Sequence, residues 1–250
     1  MNCRRFAASK YLNFKEICHL LTVVTYLWND PQRLNRGYTF SHDHIRVLKR
    51  MVERNLTVPH RFVCVSDEPV EGVNTVPLDW RKHVPNTVFL RLMQHRPDIA
   101  DLLGPRILSL DVDVVITGNI DHIAQRTEDF IIWRNPNFPA PNRAFFQASV
   151  QMFDAGARTC LWEDFDPKET PKWVNWRFGG REQAWISERL EWTEATFSDQ
   201  DGIFGAGRLG GDGVYLELPK EACIVSFPGS RAPWQDDIQA QYPWIKEFYK

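Results

Sequence analysis

The sequence has little of what marks several large protein classes. Its 5 cysteines, Cys3, Cys18, Cys64, Cys160 and Cys223, are odd in number, widely spaced and without a Cys-x-x-Cys pair. That argues against a disulfide scaffold or a structural zinc site and points to a reducing, cytoplasmic setting. An excess of one charge is also missing: 30 Lys and Arg against 32 Asp and Glu leave a net charge of −2. No global basic field is therefore available to recruit nucleic acid or an anionic membrane. Long hydrophobic runs are absent, so no transmembrane segment is expected. The stretch Ile17 to Trp28 follows Arg4, Arg5, Lys10 and Lys15 as a secretory leader would, but it is too short to span a bilayer. It also contains His19 and runs into Asn29-Asp30-Pro31 without a small-residue cleavage site, so it reads as a first core strand. Without a secretion signal, the sequon Asn55-Leu56-Thr57 carries no weight. There is no internal repeat and no low-complexity segment.

The composition is that of a globular enzyme. The 250 residues are 43% hydrophobic and 25% charged, enough to bury a substantial core in one large domain. Strand-like and helix-like segments alternate. Leu20 to Tyr26 is β-branched and apolar; Ser41 to Leu56 carries Ile45, Leu48, Val52 and Leu56 at helical spacing, with Ser41 placed to cap. Phe62 to Ser66 and Val73 to Pro77 read as strands, and Thr87 to His95 as a helix interrupted at Pro97. Strand-like segments follow at Arg106 to Leu110, Phe130 to Arg134 and Ser149 to Phe153, and a helix at about Arg181 to Leu190. This alternation implies an α/β fold with an open, mostly parallel sheet flanked by helices. Ligands in such sheets bind beyond the carboxyl ends of the strands, where Tyr26, Asp67 and Asp111 would gather.

The most informative motif is Leu110-Asp111-Val112-Asp113, at the end of the apolar run from Arg106. A buried strand that ends in carboxylates must offer them a cation, a hydrogen-bond donor or water. Residues i and i+2 of a turn, unlike alternate residues of a straight strand, can both reach one divalent ion. Capping and salt-bridging are the competing uses of the same pattern. Further on, Gly205-Ala206-Gly207-Arg208-Leu209-Gly210 formally matches a dinucleotide-binding turn. No apolar strand is evident before it and no clear helix after it, so Ser198 to Gly213 reads as a mobile loop or hairpin.

Several motifs, in order, resemble those of GT-A fold glycosyltransferases, in particular glycosyltransferase family 8 and its bacterial and phage relatives. The segments are Leu21-Thr22-Val23-Val24-Thr25-Tyr26, Leu90-Arg91-Leu92, the Asp-x-Asp at Asp111 and Asp113, Phe146-Gln147-Ala148-Ser149-Val150-Gln151-Met152-Phe153, and Glu182-Gln183-Ala184-Trp185-Ile186-Ser187. A last one, Ile224 to Trp234, resembles the family's closing Gly-x-x-Lys-Pro-Trp motif. The resemblance implies one domain over 1–250, with a nucleotide-binding half at about 18–121 and an acceptor-side half at about 122–250. It also implies a UDP-sugar donor, a carbohydrate, lipid or protein acceptor, and transfer with retention of configuration.

Roles follow residue by residue. Asp111 and Asp113 would hold Mn2+ or Mg2+, with Asp111 also touching ribose and donor sugar. Thr25 and Tyr26 would hold ribose and base, and Arg91 and Arg231 would approach the phosphates or donor sugar. Gln147, Glu182 and Gln183 would face the acceptor, Gln183 beside the anomeric carbon. The sequence departs from the family pattern in the closing motif, where Ser226 and Pro228 occupy the positions open to a metal-binding histidine and Ala232 that of a lysine. Around Gln183, Glu182 and Ala184 stand where aspartates are usual, and Gln147 replaces an asparagine.

Trp173, Trp176, Trp185 and Trp192 could serve as sugar platforms or as packing, with Trp185, Arg189 and Trp192 on one helix stripe. His42 and His44, two apart on a helix, point in different directions and do not suggest a shared metal. A sugar nucleotidyltransferase would share the sheet and the metal chemistry, but needs a glycine-rich loop after its first strand, where this chain has Tyr26 to Pro31 without glycine. A non-catalytic nucleotide- or carbohydrate-binding protein is the third reading, motivated by the altered closing motif.

Overall fold

The computed structural model describes residues 21–28, 39–78, 88–138, 144–172, 174, 182–206, 217–227 and 231–250. Its strands are β1 (Leu21–Leu27), β2 (His60–Ser66), β3 (Asn74–Pro77), β4 (Arg106–Leu110), β5 (Val114–Ile116), β6 (Phe130–Arg134), β7 (Phe146–Asp154), β8 (Ala195–Phe197), β9 (Ile203–Gly205) and β10 (Ile224–Ser226). Seven of them form one sheet in the order β3-β2-β1-β4-β7-β6-β8. Pairing is parallel from β3 through β4 and between β6 and β8, and antiparallel on both sides of β7. The sheet is thus mostly parallel, with the mixed region around β7.

Helices cover both faces, because β1 is buried along its whole length and each side of it needs a partner. On one face Leu21, Val23 and Leu27 pack with Ile45, Leu48, Met51 and Val52 of the helix His42–Asn55 and with Ile238 and Ile245 near the carboxyl terminus. On the other, Val24 and Tyr26 pack with Phe89, Leu90 and Met93 and with Trp185 and Ile186. The amphipathic spacing in His42–Asn55 is the expected one, and Ser41 is its N-cap. Val88–His95 is a 3-10 helix rather than an α-helix, and helical structure resumes beyond Pro97 at Ile99–Leu103.

Two features depart from the sequence reading. A second, three-stranded sheet, β5-β10-β9, lies against the first face. Ser198 to Gly205 is not loop or hairpin: a 3-10 turn at Asp199–Asp201 leads into β9, which pairs in parallel with β10. Ile203 and Phe204 are therefore the apolar strand that precedes the glycine motif, too short to show a period. Gly202 sits in the left-handed region at φ +76°, and a Cβ there would meet the Glu221 carbonyl at 2.5 Å, so the turn requires glycine. Residues 207–213 of that segment lie outside the described residues.

Trp192 is also not on the helix stripe proposed from sequence. The helix ends at Arg189, and Trp192 lies in the turn beyond it. No helix among the described residues is long and apolar enough to cross a membrane.

Candidate active site

The site forms where β4 ends. After Leu110 the chain turns through Asp111–Asp113 and enters β5, so the two carboxylates sit on a turn and not on a flat strand. The turn is pinned from both sides: the Asp111 N–H donates to the Ser149 carbonyl at 3.0 Å, and the Phe227 N–H donates to the Asp113 carbonyl at 3.1 Å. The small sheet therefore holds the closing motif against the Asp-x-Asp turn, since Ser226 pairs with Val114.

Arg91, on the 3-10 helix, enters this corner from the other face. Its Nη1 is paired with the Asp111 carboxylate and lies 3.0 Å from Oε1 of Glu182, while its Nη2 donates to the Ala148 carbonyl at 2.8 Å. Burial alone would make this guanidinium easier to deprotonate; Asp111 first and Glu182 second outweigh it, and Asp113 adds to them. Arg91 is thus a fixed cation among three carboxylates at the carboxyl edge of the sheet.

A bulge makes the Ala148 carbonyl available. The β6–β7 register jumps between Ile132, opposite Gln151, and Trp133, opposite Gln147. Side-chain alternation breaks at the same place, with Ala148 in one core and Val150, two residues on, in the other. The carbonyl of Ala148 is re-aimed at Arg91, and it also accepts from Gln151 Nε2 at 3.1 Å. Around it, Arg91 Nε, Ser109 Oγ, Gln147 Oε1 and Gln151 Oε1 are buried without a hydrogen-bond partner. Native interiors leave few such atoms, and a cluster of them is characteristic of a site completed by ligand or water.

The other residues singled out from sequence take distinct places. Tyr26 is buried; its hydroxyl donates to Gln94 at 3.3 Å and the Arg91 guanidinium lies 5.7 Å from its ring centroid. Burial raises the phenol's pKa, with Arg91 opposing. Thr25 is fully buried with an unpartnered hydroxyl. Gln183 lies half-buried in the first turn of the helix Glu182–Arg189, whose Ser187 hydroxyl accepts the Phe146 N–H at 2.9 Å and ties the helix to the start of β7. Arg231 is exposed, and no contact joins it to Arg91 or Asp111.

Sequence reasoning missed two features. The pairing of Glu182 with Arg91 depends on residues distant in sequence, so no local pattern signals it. A cavity of about 380 Å³ at the ends of β1 and β2 is lined by Trp28, Phe40, Ser41, His42, Ser66 and Asp67, among others. Asp67 is one of the strand-end residues expected near a ligand; Trp28, which follows β1 in the same way, offered the same signal and was missed.

The donor set for a divalent ion is incomplete. Asp111 and Asp113 share the turn, but the Ser226 hydroxyl is buried and donates to Ser149 at 3.1 Å, and Pro228 lies outside the described residues. Among the described residues no three His, Cys, Asp or Glu side chains are placed to hold one metal ion. Two carboxylates fit an ion whose remaining positions are filled by a diphosphate and water, not a closed protein site.

No protein-family model and no curated protein matches the chain. Solved structures do. The galactosyltransferase LgtC, in complex with donor and acceptor sugar analogs, superposes with a TM-score of 0.59 at 12% identity, covering 92% of this chain and 96% of LgtC. The glycosyltransferase GlyE of Streptococcus pneumoniae gives 0.54 at 14% identity, covering 86% of this chain and 56% of GlyE. The bifunctional glycosyltransferase WbbM gives 0.55 at 12% identity, over 92% of this chain and 51% of WbbM. The chain thus has the GT-A glycosyltransferase fold, spanning nearly all of LgtC and about half of the other two.

Proposed function

We propose that this chain is a glycosyltransferase that moves a sugar from a nucleotide-diphosphate donor, UDP-linked, to a carbohydrate, lipid or protein acceptor, with retention of anomeric configuration. The observation that carries the reading is the position of Arg91, which joins Asp111 of the Asp-x-Asp turn to Glu182, the neighbour of Gln183. It supports one continuous site in which the donor meets the acceptor. The GT-A fold of the chain agrees with it.

In this reading the nucleotide base and ribose occupy the cavity beside Trp28, Phe40 and Asp67, one step outward from Thr25 and Tyr26. Aromatic faces there stack on the base, and carboxylate and hydroxyl groups accept from base and ribose donors. The diphosphate lies toward Asp113 and the donor sugar toward Arg91, Asp111 and Glu182. Asp111 and Asp113 would hold Mn2+ or Mg2+, which would supply positive charge for the departing diphosphate. Arg91 can exchange part of its pairing with Asp111 for the hydroxyls of the donor sugar, and Arg231 can add charge at the phosphates. Gln147 lines the acceptor side, where its buried Oε1 gains a partner. Gln183 cannot take a proton, so its role is to orient the reacting groups and aim a dipole at the charge developing at the anomeric carbon.

Thermal unfolding in the presence of UDP, GDP and ADP, each with and without manganese, tests the donor assignment. UDP with manganese is expected to raise the midpoint most, because a ligand that binds only the native state stabilises it. No shift with any nucleotide would contradict the reading.

A further inference from the structure

Trp192 is 59% exposed, the most exposed of the large apolar side chains among the described residues. It is nonetheless held in place. Its ring stacks on Phe145 with centroids 5.1 Å apart and planes 4° from parallel, and Phe138 meets it edge-on at 5.0 Å. Phe145 in turn packs edge-on against Phe146 at 4.8 Å and carries the Arg134 guanidinium 5.5 Å from its centroid. The Phe145 ring thus meets both an exposed guanidinium, Arg134, and a largely exposed indole, Trp192. A surface tryptophan that only filled a gap would bury its faces; here the packing fixes the plane of the ring while much of its surface stays in water.

The stack also lies at the functional edge of the sheet. β4 runs toward Asp111, and β7 is antiparallel to it, so the start of β7 is at the same end. β6 runs back to Arg134, which pairs with Phe146. Phe145 therefore lies about 10 Å along the strand from Ala148, the carbonyl that holds Arg91. The Phe146 N–H bond to Ser187 ties the same point to the helix that starts with Glu182 and Gln183.

We propose that Trp192, stacked on Phe145 and flanked by Arg134, is a platform for a pyranose ring of the acceptor, outside the ring that receives the transferred sugar. The inference rests on the glycosyltransferase reading and narrows its acceptor to one that carries carbohydrate. The chemistry favours a sugar over a peptide or lipid chain. The apolar C–H face of a pyranose matches a flat indole, and its equatorial hydroxyls need donors at the rim such as a guanidinium. A buried apolar groove suited to acyl chains is a different architecture, and a protein partner would call for a broader apolar patch than Trp192, Phe145 and Phe138 offer among the described residues.

The test uses the full-length protein, an immobilised panel of defined oligosaccharides ending in galactose, glucose or N-acetylhexosamine, and UDP binding measured on the same samples. Wild type is expected to bind at least one saccharide, Trp192→Ala to weaken that binding at least tenfold, and Trp192→Phe to restore most of it. Equal binding by wild type and Trp192→Ala, or UDP binding with no saccharide bound, would overturn the platform. Saccharide binding that depends on Trp192 without any nucleotide binding would leave the platform standing and overturn the glycosyltransferase reading. Self-association of wild type that Trp192→Ala abolishes, with saccharide binding unchanged, would assign the surface to a second copy and overturn the proposal.

Discussion

Nη1 of Arg91 lies 3.0 Å from Oε1 of Glu182, both side chains buried. This contact joins the 3-10 helix before the Asp-x-Asp strand to the first turn of the helix that carries Gln183. Together with Asp111 it brings three of the sequence motifs into one corner.

Arg91→Met should destabilise the fold by about 3 kcal/mol, because it removes the buried cation that Asp111 and Glu182 share. Arg91→Lys should recover only part of this, since an ammonium cannot reproduce the fork to Asp111, Glu182 and the Ala148 carbonyl. Urea unfolding midpoints decide it. Midpoints within error of wild type for both variants would mean that the carboxylates find other partners.

Gln183→Ala should lower the transfer rate by roughly tens to a thousandfold, corresponding to about 2 to 4 kcal/mol for loss of one group that acts in the transition state. UDP affinity should stay near wild type, because the nucleotide groups lie on other elements. Steady-state kinetics and calorimetry on the same preparation separate the two effects. An unchanged rate would leave Gln183 as a helix-surface residue.

Manganese should bind weakly without nucleotide and more tightly with UDP, because Asp111 and Asp113 leave the remaining positions to diphosphate and water. The Ser226 hydroxyl donates to Ser149, and a neutral hydroxyl adds little to two carboxylates. Calorimetry that finds tight metal binding unaffected by UDP would reveal a further protein ligand.

Acid should destabilise the protein through His95. This side chain is buried, and its pKa is pushed down to about 3 by burial first and then by the charges of Arg91 and Arg158. His44, stacked on Trp234, is lowered to about 4 by burial. An unfolded histidine takes up its proton near pH 6.5, so below that pH the unfolded state binds more protons and stability falls with falling pH, until the native imidazole also titrates. For His95 the loss between pH 6.5 and 3 is on the order of 4 kcal/mol. Urea midpoints of wild type and His95→Gln at pH 7, 5 and 4 should diverge, the variant showing the shallower decline. Parallel declines would place the acid sensitivity elsewhere.

Much of this architecture is legible in the sequence because its central elements carry strong local signals. β1 is an unbroken apolar run, and His42–Asn55 has one apolar face behind a serine cap. The Asp-x-Asp turn is legible because carboxylates at the end of a buried strand need a physical reason. The second sheet is not, since β5, β9 and β10 have three residues each and acquire strand geometry only by pairing with one another. Arg91 shows a similar limit. Leu90-Arg91-Leu92 suggests a cation near phosphate, but its fixed place comes from Asp111, Glu182 and a bulge in β7, none of them local.

The central claim is nucleotide-sugar turnover at the Asp-x-Asp turn, and nucleotide release from a panel of UDP-sugars with manganese, compared between wild type and Asp113→Ala, tests it most directly. The account predicts release by wild type with at least one donor, and loss of that release in a folded Asp113→Ala protein with an unchanged circular dichroism spectrum. Wild-type turnover by Asp113→Ala at saturating manganese would contradict the assignment of the turn, and no release by wild type from any donor would contradict the activity itself.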